Sequence, residues 1–101
     1  MRSYYKGEKR TICVEVKRKK KTPFIIEKAN YTVQDIDGKT VQQGIASIDS
    51  ANVMFLLDTA LGGYSHEKGR NKYQAWFEVF IADIGKVLLN PVMIVIKPGI
   101  K

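Results

Sequence analysis

The chain has 101 residues, 45% of them apolar and 27% charged, with a formal charge of +7. That is one domain's worth of ordinary globular sequence, which argues against two domains and against disorder. No apolar run approaches the ~20 residues a membrane-crossing helix needs, and Met1-Arg2-Ser3-Tyr4-Tyr5-Lys6 lacks the apolar core of a signal peptide. A lone cysteine, Cys13, excludes an internal disulfide framework and any all-cysteine metal site, and fits a reducing compartment.

The net positive charge arises in one quarter of the chain. Residues 1–28 hold ten Lys or Arg against three Glu, and residues 29–101 hold seven of each sign. Residues 1–10 read as an N-terminal extension ahead of a single domain over 11–98. Within residues 11–16, Ile12, Val14 and Val16 alternate against Cys13 and Glu15, as a strand with one dry side requires. The run Lys17, Arg18, Lys19, Lys20, Lys21 follows, and its self-repulsion predicts an exposed loop or strand end. It could hold a polyanion such as nucleic acid by counterion release. Its more ordinary role is a solvated connection whose lysines discourage strand pairing.

Pro23 opens a second alternating stretch, in which Ile25, Ala29, Tyr31 and Val33 are predicted to share a face. Residues 35–39 contain Asp37-Gly38, a strong hairpin signal. The return strand over 40–48 is polar enough to lie near an edge. Residues 49–52 (Asp-Ser-Ala-Asn) form a second turn, and residues 53–58 are apolar on both faces, as a well-buried strand would be. Residues 59–71, with three glycines, read as a mobile surface loop. Residues 72–82 give the clearest strand, with Tyr73, Ala75, Phe77, Val79 and Ile81 on one face and Gln74, Trp76, Glu78, Phe80 and Ala82 on the other. A reversal at 83–86 leads into 87–89 and then 92–97. Pro91 between them predicts a bend or bulge and places the last strand at an edge. Six or seven strands with hairpin spacing predict an all-β, antiparallel β-sandwich of immunoglobulin-like type.

The inventory for catalysis is thin. His66, the single histidine, lies in the glycine-bearing loop beside Glu67 and Lys68 and reads as a solvated surface residue. A Cys13/His66 dyad would need a cysteine that its strand setting marks as a small hydrophobe. Asp35 and Asp37 resemble the opening of a calcium loop, but Ala46 stands where the bidentate Glu should be. A weak surface cation site joining that turn to Asp83 is the remaining metal reading. Gly62-Gly63 lacks the Lys-Ser/Thr of a phosphate-binding loop. These residues predict no enzyme, no cofactor and no metal centre.

Asp35-x-Asp37-Gly38-Lys39-x-Val41, Val53-x-Phe55-x-Leu57-Asp58, Tyr73-x-Ala75-x-Phe77-Glu78-Val79 and Asn90-Pro91-Val92-x-Ile94-x-Ile96, in that order, resemble the small immunoglobulin-like domains of tailed-phage structural proteins. The likeness is to the N-terminal domain of baseplate upper proteins and covers residues 23–97. It implies a non-enzymatic virion or prophage module that docks on other tail, neck or baseplate subunits or on itself, located in the virion or the bacterial cytoplasm. Trp76 and Phe80 are the expected partner-binding residues if they lie on an exposed face, with Lys17, Arg18, Lys19, Lys20 and Lys21 as an electrostatic patch. The other reading makes Trp76 or Phe80 the core aromatic. The alternative function is a ligand-binding module, holding polyanions on the basic run or glycans on exposed aromatics.

Overall fold

A computed structural model describes residues 2–5, 9–17, 23–58 and 72–97. The described chain is all-β: β1 (Arg2–Tyr5), β2 (Lys9–Glu15), β3 (Ile26–Gln34), β4 (Thr40–Ile45), β5 (Ser47–Asp49), β6 (Asn52–Asp58), β7 (Lys72–Ile81), β8 (Gly85–Leu88) and β9 (Val92–Lys97). They form two sheets packed as a sandwich. One runs β1-β9-β7-β3-β4 with β8 also on β7, and the other runs β2-β6-β5. Among the described residues nine strands replace the expected six or seven. Arg2–Tyr5, expected within an extension, form β1 and pair in parallel with β9. The large sheet is therefore mixed rather than wholly antiparallel, and β9 has a neighbour on each side instead of lying at an edge.

The core follows period two where the strands are regular. Tyr73, Ala75, Phe77, Val79 and Ile81 all point inward from β7, so that face is the dry one. Opposite them Ile12, Val53, Phe55 and Leu57 are buried. Phe55 joins the layers: its ring stacks on Tyr31 at 3.9 Å and 5° and meets Phe77 at 5.5 Å and 56°. Burying a Phe such as Phe77 contributes about 1.5–3 kcal/mol. Core aromatics are thus Phe55, Tyr73 and Phe77, while Trp76 and Phe80 lie half-buried on the outer face of β7.

Three irregularities break the simple alternation. On β3 the register shifts between Ile26 and Lys28. Ile26 is therefore buried while Ile25, expected inside with Ala29, is 70% exposed, because the extra residue of a bulge inverts the phase on its far side. On β6 only one face is dry: Leu56 is exposed, since no element among the described residues covers the outside of the small sheet there. The expected single return strand divides at buried Ala46, whose amide donates to the Ala29 carbonyl at 2.9 Å. Before Ala46 the chain pairs with β3 and after it with β6. As expected, β4 is the edge of the large sheet.

The turns obey local chemistry. Asp35 Oδ1 accepts from the Asp37 and Lys39 amides at 2.9 and 3.0 Å, and Gly38 supplies a φ of +81°. Gly85, at φ +96°, closes the β7–β8 hairpin. Between β8 and β9, Leu89, Asn90 and Pro91 stand against Trp76 and Phe77, because the β7 register moves by one residue across the gap. That extra residue accommodates Pro91, which has no amide to give. It lets Val87 on one side and Ile94 on the other both reach the core.

Candidate interaction face

The outer face of the large sheet is organised by its register. Ile45 on β4 pairs with Asn30 on β3, Asn30 with Glu78 on β7, and Glu78 with Leu88 on β8, which makes one row across four strands. The next row runs Gln43, Thr32, Trp76. Together the two rows line a groove of about 590 Å³. Ile45 is 78% exposed and Leu88 59% exposed, so two aliphatic side chains stand at opposite ends of a floor that includes amides, a hydroxyl, an indole and the Glu78 carboxylate. Leaving such apolar groups in water forgoes roughly 25 cal/mol for each Å² of apolar surface that a partner could bury.

Trp76 lines this groove with an irregularity of its own. Its Nε1 is shielded from water and has no hydrogen-bond partner among the described residues, which costs about 1–3 kcal/mol relative to a satisfied donor. Phe80 lies further along β7, outside the groove. It pairs with Lys28 and Lys86 on its two sides, and the Lys28 ammonium stands 5.6 Å from the ring centroid. Lys86 also meets Glu78 at 3.3 Å. The outer face thus divides into an aliphatic-and-amide half around Trp76, which carries the Glu78 carboxylate, and a basic band around Phe80. The two expected partner residues fall on different halves.

Of the basic run, Lys17 is exposed at the end of the β2 segment, 3.8 Å from Glu15, and residues 18–21 lie outside the described residues. His66 and the rest of residues 59–71, expected as a loop, lie outside them as well. Cys13 is half-buried on β2. Asp35 and Asp83 occupy hairpins at opposite ends of the antiparallel β3–β7 pair, so the cation site suggested between them is not assembled. Among the described residues no group of three His, Cys, Asp or Glu side chains could hold a metal ion, and no helix is long and apolar enough to cross a membrane.

A smaller recess of about 270 Å³ lies where the β3–β4 hairpin meets the start of β7, between Asp35, Tyr73 and Met93. Burial there pushes the Tyr73 phenol above its ordinary value, and the nearby Asp35 carboxylate adds to the effect. A neutral phenol beside a structural carboxylate has no evident reactive role.

Ile45 and Leu88 carry the groove, and sequence reading did not single them out. Each lies in a weakly patterned segment, and only the pairings Asn30–Ile45 and Glu78–Leu88 align them with the Trp76 face. Comparison with known proteins matched no family model, no curated protein and no solved structure.

Proposed function

We propose that this chain is an immunoglobulin-like interaction module that docks another protein on the outer face of its large sheet, as subunits of a tailed-phage particle do. The observation that carries the reading is the pair Ile45 and Leu88, held exposed at the two ends of one cross-strand row with Trp76 beside them. A protein partner fits this chemistry. Its apolar side chains would cover Ile45 and Leu88, and its backbone would meet Asn30, Thr32 and Gln43. A phenylalanine at position 76 would avoid the stranded indole donor, so folding alone does not explain that residue. The groove holds a carboxylate, Glu78, and no cation, which disfavours a polyanion there. Its aliphatic ends offer nothing to sugar hydroxyls.

The strand order supports the fold half of the reading. In an immunoglobulin-like domain the second, fifth and fourth strands face a sheet of the seventh, sixth and third, extended by an extra edge strand in variable types. Here β2-β6-β5 faces β9-β7-β3-β4. The phage context rests on the resemblance over residues 23–97.

The test is binding to the proteins encoded by neighbouring genes, measured by biolayer interferometry, for the parent chain and for Ile45→Arg and Leu88→Glu. Both side chains are exposed, so the variants should fold. Each should weaken binding by about tenfold or more if these positions are central anchors. Equal binding by parent and variants would refute the groove as the site. Retention of a glycan or of heparin in place of any protein would favour the ligand-binding alternative.

A further inference from the structure

The small sheet ends at β2, whose one strand partner is β6; among the described residues nothing pairs with its other edge. Such an edge invites strand addition, and proteins usually block it with charge. The charges on β2 are arranged differently. Lys9 stands at one end and Glu15 at the other, both exposed, with Thr11 and Cys13 between them in the same phase and Ile12 buried on the opposite phase. We infer that β2 pairs antiparallel with β2 of a second copy, about a twofold axis at Ile12, so that the two small sheets become one of six strands.

The argument is one of register. Pairing centred on Ile12 sets Lys9 opposite Glu15 of the second copy, twice by symmetry, and Thr11 opposite Cys13, also twice. Arg10 then faces the uncharged Val14. Opposite charges facing across strands stabilise a pair and like charges destabilise it. Moving the centre to Cys13 would set Lys9 against Lys17, an exposed cation, and leave Glu15 facing Thr11. A parallel pairing would set Lys9 against Lys9. A one-residue slip would put the buried Ile12 row in the phase of the exposed one. The arrangement about Ile12 pairs both end charges with their opposites and opposes no like charges. It is also self-complementary, as a twofold interface must be. The Glu15–Lys17 contact, 3.8 Å long and solvent-exposed, is easily exchanged. The β4 edge of the large sheet lacks this pattern, since β4 holds no charged residue at all. The β2 interface is separate from the groove on the large sheet, and neither reading requires the other.

Charge exchange tests it without disturbing the core. Lys9→Glu alone places a carboxylate opposite Glu15 twice in the dimer, and Glu15→Lys alone places an ammonium opposite Lys9 twice. Each variant should dimerise about tenfold or more weakly than the parent in sedimentation velocity. Mixed in equal amounts they should recover parent-like dimerisation, because every facing pair of end charges is then of opposite sign. A second readout fixes the register. Thr11→Cys should give a disulfide-linked dimer on oxidation through Cys13 of the second copy, directly across. The parent chain should not crosslink, since its two Cys13 residues are diagonal, roughly 7–8 Å apart with Cβ atoms only somewhat closer, where a disulfide spans about 3.5–4.5 Å between Cβ atoms. A parent chain that stays monomeric at every concentration would overturn the inference. So would single variants that dimerise like the parent, a mixture that does not recover, or a Cys13–Cys13 crosslink.

Discussion

Gln42 offers the sharpest test of how the two sheets are held together. It lies on β4, in the large sheet, yet its carboxamide works for the small one. Its Oε1 accepts from the Asp58 amide at 3.0 Å and its Nε2 donates to the Leu56 carbonyl at 3.0 Å. The same Nε2 donates to the Tyr31 hydroxyl at 3.0 Å. Since β5 pairs with residues 52–54 of β6, the far end of β6 has no strand on that side among the described residues, and this side-chain amide supplies the donor and acceptor a strand would have given. Gln42→Leu keeps the bulk and deletes all three bonds. At a net ~0.5–1.5 kcal/mol each, and toward the low end for the two that water can replace, the loss is about 1–3 kcal/mol. For a domain of this size that corresponds to a fall in Tm of roughly 4–24 °C. Thermal unfolding followed by far-ultraviolet circular dichroism measures it, and a cycle with Tyr31→Phe isolates the tyrosine's share. A Gln42→Leu variant melting with the parent would refute the claim that this side chain substitutes for a strand.

Three further predictions rest on local geometry. A Cβ at Gly44 would stand 3.1–3.3 Å from three atoms of the Tyr31 ring end; that ring is held by its stack on Phe55 and by Gln42, so Gly44→Ala should cost about 1–3 kcal/mol in urea unfolding. Gly38→Ala should cost about 1–2 kcal/mol by the same measurement, because its φ of +81° penalises any Cβ although the space is open. The folded chain holds the Tyr73 proton more tightly than the unfolded chain does. The stability linked to it is therefore complete below pH 10 and is lost as pH rises through the folded value. Tyr73→Phe should flatten that alkaline decline in pH-dependent unfolding, and an unchanged slope would contradict the assigned burial.

Much of this architecture can be read from the amino acids, and the parts that cannot share a cause. The phase of β7 is plain because ten residues alternate without interruption between core and outer face. Both Asp-Gly and Gly-Lys reversals announce themselves through glycine. Ile25 misleads because a bulge, invisible in composition, inserts one residue into β3. The division of β4 from β5 at Ala46 leaves no mark, since a strand changing sheets keeps its alternation. Four residues near the chain start cannot reveal that they pair in parallel with residues 94–97. For the interaction face, alternation set Trp76 on the opposite side of the strand from Tyr73 and Phe77 but left open which side was the core. Ile45 and Leu88 were not legible, because their adjacency to Trp76 is a property of pairing between strands.

The parallel pairing of β1 with β9 decides how this domain responds to tension. Residues 2–5 lie beside residues 94–97 in register, with the two strands running in the same direction. A pull on the segments that enter β1 and leave β9 therefore draws the strands past each other along their length. The bridging hydrogen bonds are loaded together, not peeled one after another, and the domain should yield only when the whole seam fails at once. Force directed instead across the β2 edge would unzip its bonds in sequence and meet far less resistance. The molecule is mechanically anisotropic, stiff along its chain and weak at its flank.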